Sequence, residues 1–160
     1  MVGIKIKSEK AFTLVELICV ITLLGIIILI AAPALSGRAS GRDLELTART
    51  MAMDMRKSQQ KAITTGWTQI IEFRRSAGDY VLIDGKTSER VIVKLPEGIR
   101  YVTINFPETN RVPRLFFRYT GAPNQGGTVS LENEKDDMYY IIVAPATGRV
   151  RISQTPPESW

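Results

Sequence analysis

The segment from residue 12 to residue 35, "FTLVELICVITLLGIIILIAAPAL", constrains this chain more than any other. Between Leu17 and Ala32 it carries no charge, and Thr22 is its only polar side chain. From Leu14 to Ala32 a helix rising about 1.5 Å per residue reaches about 28 Å, close to the hydrocarbon thickness of a bilayer. A helix apolar on every side belongs in an apolar surrounding, not at a water-facing surface. Glu16, near the start of the run, is therefore costly: a carboxylate at the bilayer centre costs roughly 2.5–3.5 kcal/mol on insertion scales.

The flanks set a direction. Residues 1–11, "MVGIKIKSEKA", are short, basic and polar. Lys5, Lys7 and Lys10, less Glu9, account for +2 of the formal net charge of +5, leaving +3 from Phe12 onward. So mild a surplus does not by itself argue for nucleic acid. Basic residues ahead of the span keep the N-terminus in the cytoplasm and send the remainder outside, in a single pass through the cytoplasmic membrane. A secretory signal peptide shares this plan, with small residues in "AAPALSG"; on that reading the first 35 residues are discarded and an exported soluble β protein remains. Against it, the apolar run is long for such a signal, Glu16 is misplaced in one, and helical periodicity continues beyond Leu35. Cys19, the single cysteine, forms no intramolecular disulfide and reads as a small hydrophobe. With no histidine, no nucleophile elbow and no phosphate-binding loop, the chain reads as neither an enzyme nor a holder of metal or cofactor.

From Ser36 to Thr65 the pattern is helical. Leu44, Ala48, Met51, Met55, Ser58 and Ala62 recur at spacings of four and three, one stripe for packing on a following domain, while Arg42, Arg49, Arg56, Lys57 and Lys61 lie mostly off it. Ser36, Gly37, Ser40 and Gly41 mark a flexible zone, and Gly66 stops the helix. Eight β-rich stretches follow, at 67–75, 79–84, 90–95, 99–106, 114–119, 127–132, 139–144 and 148–153, separated by turn signals such as Asp84-Gly85 and Thr147-Gly148. Their spacing predicts antiparallel sheets. The organisation is an α+β chain: residues 1–11, an apolar helix over 12–35, an amphipathic continuation over 36–65, a β domain over 66–153 and a loose tail over 154–160, in which Trp160 is a candidate to dock.

The basic leader, then "AFTLVEL", then an unbroken apolar helix resemble the N-terminus of type IV pilins and type II secretion pseudopilins. Ala11, small and tolerated in some members, stands where that family usually has glycine. The resemblance implies a pilin-like fold, a long N-terminal helix packed on a C-terminal antiparallel β domain. It implies cleavage by prepilin peptidase between Ala11 and Phe12 and methylation of the new amine on Phe12. It implies that Glu16 accepts the N-terminal amine of an adjacent subunit. An ammonium and a carboxylate in an apolar core are each costly alone and far less so as a pair, so the pairing sets axial register. Pro33 and Gly25 stand where the family often has a proline and a glycine; Pro33 removes a helix donor and is expected to kink the span, and Gly25 allows close helix approach. The implied partners are prepilin peptidase, other pilin or pseudopilin subunits, the inner-membrane assembly platform and, before assembly, membrane lipid.

The C-terminal half is similar to the GspH/FimT group of minor pseudopilins and minor pilins, through Phe117 to Gly121, Gly127-Thr128 and the closing Gly148-Arg149-Val150-Arg151. Some of that group belong to secretion pseudopili and others to pili, and some of the latter bind DNA, with the Gly-Arg-x-Arg element implicated. Arg149 and Arg151 are two apart, so on a strand they share a face able to grip successive phosphates. The plainer reading pairs them with the acidic turn "ENEKDD" or leaves them to solvate the last strand while Val150 packs inward. That turn, residues 132–137, holds Glu132, Glu134, Asp136 and Asp137; an oxygen-rich loop suits calcium, but it lacks a turn glycine and carries Lys135, which favours a solvated hairpin. Two functions remain in view: a filament subunit of a secretion pseudopilus or pilus, and a DNA-binding module carried on one.

Overall fold

A computed structural model of the chain describes residues 13–157, with side chains for all of these except residues 29–40. Ala11, Phe12 and Trp160 lie outside the described residues, and the side chain of Pro33 does too. The chain divides into two units, Met1–Arg38 and Ala39–Trp160. Helix α1 (Leu14–Thr65) supplies the regular structure of the first and opens the second.

In the second unit α1 presents the expected stripe. Leu44, Ala48, Met51, Met55 and Ala62 are fully buried, with Ala52 beside them, and Ser58 is nearly so. Full burial of one such large side chain stabilises by roughly 1.5–3 kcal/mol. The helix stops where Gly66 turns left-handed (φ +74°) and its N–H donates to the Ala62 carbonyl at 3.0 Å; glycine takes that conformation without a Cβ penalty.

Among the described residues nine strands follow: β1 (Gln69–Arg74), β2 (Asp79–Asp84), β3 (Arg90–Lys94), β4 (Arg100–Ile104), β5 (Glu108–Thr109), β6 (Val112–Phe117), β7 (Gly127–Glu132), β8 (Met138–Val143) and β9 (Val150–Ser153). They form two sheets in the orders β3-β2-β1-β6-β5 and β4-β7-β8-β9, and the pairings are antiparallel. Each of the eight expected stretches carries a strand. The ninth, β5, joins β6 through Asn110 and Arg111, both at positive φ (54° and 65°), a left-handed pair suited to a two-residue hairpin. Sequence reading missed it because arginine is not a residue that announces such a turn.

The α1 stripe, Ile71, Phe73, Tyr80, Leu115 and Phe117 of the first sheet, and Tyr101, Val129, Leu131, Ile141, Val143 and Val150 of the second share one core. Phe73 stacks on Phe106 (centroids 5.5 Å apart, 12° between planes) and meets Tyr101 edge-on at 6.5 Å. The Tyr101 hydroxyl donates to the Asp79 carbonyl at 3.1 Å, so a polar bond also spans the two sheets.

Candidate functional site

The site expected at the N-terminus begins at Thr13. Its Oγ1 accepts the amide of Glu16 at 3.2 Å, which makes Thr13 the N-cap of α1 and Glu16 the acid of its first turn. Thr-x-x-Glu is the spacing of a capping box, and a first-turn carboxylate also suits the positive end of the helix dipole. This local role was legible in "TLVE" and is additional to any role in pairing. Glu16 is exposed, so the carboxylate is open to a group from outside the chain. From Leu14 to Ile28 the large apolar side chains are 45–74% exposed, on all sides of the helix. Thr22 closes its hydroxyl on the Ile18 carbonyl at 2.7 Å, leaving that donor satisfied without water. Among the described residues no helix is long and apolar enough to cross a membrane; the expected span runs on into residues 29–40.

The closing Gly148-Arg149-Val150-Arg151 element separates into structural and unassigned residues. Gln59 of α1 donates from Nε2 to the Gly121 carbonyl at 2.7 Å and to the Thr147 carbonyl at 3.0 Å. Gly148 sits at φ +66°, and a Cβ there would lie 2.5 Å from Gln59 Nε2 and 2.8 Å from the Gly121 oxygen. Val150 is buried in the core, and Arg56 of α1 donates from Nη2 to its carbonyl at 2.8 Å. Gly148 and Val150 thus dock β9 on the helix. Arg149 and Arg151 are exposed, and among the described residues neither guanidinium has an ion-pair or hydrogen-bond partner. Arg151 stands opposite Ile142, and Tyr140 stands opposite Ser153, so Arg151 and Tyr140 share a face of the sheet. Tyr140 was missed: in "YYIIV" two adjacent tyrosines hide which one faces out, and only the register decides.

The acidic turn does not pair with these arginines. Arg100, directly across β4–β7 from Glu132, donates to it at 3.0 Å and approaches Asp136 at 3.7 Å. Arg149 and Arg151 belong to the opposite edge of that sheet, beyond β8, which is why they do not reach the turn. Asn133 organises the turn from within, accepting the amides of Lys135 (2.9 Å) and Asp137 (3.0 Å). Among the described residues no group of acids, histidines or cysteines is arranged to hold a metal.

Two polar ties hold α1 to the first sheet. Tyr80 donates to Asp54 at 2.7 Å; burial first, then that bond, push the phenol well above its usual pKa. Lys61 pairs with Asp84 at 2.7 Å, and with the Lys86 and Thr87 amides it holds the Asp84 carboxyl down to about 2.

Comparison with known proteins agrees with both halves. Residues 6–32 match the prokaryotic N-terminal methylation motif. Over 153 residues the chain is 27% identical to the competence protein ComGD of Bacillus subtilis, covering 95% of this chain and 99% of that one. The fold is similar to that of the minor pseudopilin EpsH from the type 2 secretion system of Vibrio cholerae, with a TM-score of 0.56, 15% identity, and coverage of 69% of this chain and 96% of EpsH. It is also similar to that of the type IV minor pilin FimU of Pseudomonas aeruginosa, with a TM-score of 0.55, 10% identity, and coverage of 70% and 89%.

Proposed function

As the chain belongs to the family of type IV pilins and pseudopilins, whose members are structural subunits and not enzymes, we propose that it is a minor subunit of a competence-type pilus or pseudopilus. Proteins of this family are processed by prepilin peptidase and assemble with other pilin or pseudopilin subunits. On our reading the peptidase cuts between Ala11 and Phe12 and methylates Phe12. The precursor waits in the cytoplasmic membrane, N-terminus inside and β unit outside, in contact with lipid and the assembly platform. Pro33 bends the span, and the apolar helix surface then exchanges lipid for neighbouring helices. The carrying observation is the methylation motif at residues 6–32 with Glu16 exposed in the first helical turn. The likeness to ComGD favours competence over secretion.

The role of Glu16 is tested by Glu16→Val. The account expects this variant to be cut and to stay in the membrane, but to be lost from sheared filaments, because an unpaired N-terminal ammonium is costly in an apolar core. Filaments that take up Glu16→Val as readily as the parent chain would contradict the register role.

A second reading, contact of Arg149 and Arg151 with DNA phosphates, is favoured by the partition of the closing element. Helix docking accounts for Gly148 and Val150 and gives the two guanidiniums nothing to do. Phosphate contacts release counterions, so binding should fall steeply with salt and weaken in Arg149→Ala/Arg151→Ala.

A further inference from the structure

One end of the β unit carries aromatic surface that neither the core nor helix assembly uses. The β1–β6 ladder closes at Gln69↔Phe117; Trp67 lies two residues before Gln69, and Tyr119 lies two residues after Phe117 in the turn that follows β6. Trp67 is 49% and Tyr119 64% exposed, at the end of the sheet where their neighbours in the ladder are buried. Ile63, the exposed apolar residue of the last turn of α1, lies against the same turn: a Cβ on Gly121 would come 2.6 Å from its Cδ1. That turn is tight, with the Gly121 N–H donating to the Arg118 carbonyl at 2.8 Å.

Gln59 fastens this turn to the one that carries Arg149. Its amide holds the Gly121 and Thr147 carbonyls together, and the Gly121 oxygen lies within 2.8 Å of where a Cβ on Gly148 would stand. Trp67, Tyr119, Arg118 and Arg149 therefore gather at one end of the unit. Arg118, like Arg149 and Arg151, is exposed and has no side-chain partner among the described residues. Asp84, on β2 directly opposite Gln69 of β1, is already closed by Lys61 at 2.7 Å and offers these cations nothing.

Exposed aromatic faces interleaved with unpaired guanidiniums suit one ligand chemistry best: unpaired bases on a phosphate backbone. A duplex buries its base faces and presents only phosphates to such a surface. We propose that this end of the β unit binds single-stranded DNA, with Trp67 and Tyr119 stacking on bases and Arg118 and Arg149 holding the adjoining phosphates. The proposal rests on the reading of Arg149 and Arg151 as phosphate contacts and extends it to a strand type.

The test uses the full chain in detergent, with binding read from the anisotropy of fluorescein-labelled DNA in every variant and with Trp160→Phe in the otherwise unchanged chain so that Trp67 emission reports stacking. Oligo(dT) of about 15 nucleotides, within the usual footprint of such sites, is titrated at low salt against a duplex of equal length. The expected result is quenching of Trp67 by oligo(dT). Trp67→Ala and Tyr119→Ala should each weaken oligo(dT) binding about tenfold, with duplex affinity and melting temperature unchanged, and Trp67→Phe should retain most binding. Arg149→Ala/Arg151→Ala should weaken both ligands. If the aromatic variants bind like the parent while the arginine pair loses both ligands, the stacking surface is overturned and the phosphate reading stands. If only the aromatic variants lose binding, the phosphate reading falls and the stacking surface stands. No binding of either DNA at low salt overturns both.

Discussion

Gly148 shows why one residue type is required where the last strand meets the helix. Its positive φ and the approach of Gln59 Nε2 and the Gly121 oxygen exclude a side chain on both conformational and steric grounds. Gly148→Ala is expected to destabilise the β unit by about 1–3 kcal/mol, the scale of a strained left-handed residue. The measurement is a melting curve of the full chain in detergent; an unchanged midpoint would mean that β9 does not depend on this contact. The neighbouring arginines are the reverse case, fully tolerant in packing terms and therefore free to serve a ligand. Strand alternation alone set Arg149 and Arg151 on one face and left Val150 to pack inward, but gave no role to Gly148. The contacts with Gln59 and Arg56 show what Gly148 and Val150 build and leave the two arginines available.

At the scale of elements, the α1 stripe from Leu44 to Ala62 was legible because a helix repeats its buried face every three or four residues, and each expected member is buried. The strands were legible from β-branched and aromatic runs between turns. Their pairing was not, because sheet order joins β1 to β6 and β4 to β7 across long intervals that no local pattern records. Hence the aromatic end at Trp67 and Tyr119, and Tyr140 beside Arg151, emerged only from register. The tie between α1 and β2 carries a pH signature. The Asp84 carboxyl titrates lower in the folded chain, about 2 against an ordinary 3.8, so its contribution is complete above the ordinary value and is lost as pH falls between the two. The melting temperature should therefore drop more steeply from pH 4 to pH 2 in the parent chain than in Asp84→Asn. Equal slopes would assign acid sensitivity to other carboxylates.

At the scale of the whole molecule, two resemblances visible in the sequence bracket the chain, and each meets its counterpart: the methylation motif over residues 6–32 and the fold shared with EpsH and FimU. An exported β protein without its first 35 residues would need neither an exposed first-turn carboxylate nor a helix apolar on every side. The account therefore turns on where the mature chain begins. Intact mass of the protein from cells with and without prepilin peptidase decides it. The account predicts loss of residues 1–11 and gain of one methyl, only when the peptidase is present. A chain that starts near Ser36, or one that retains Met1 through Ala11 in both cells, would contradict it and remove the filament role of Glu16 with it.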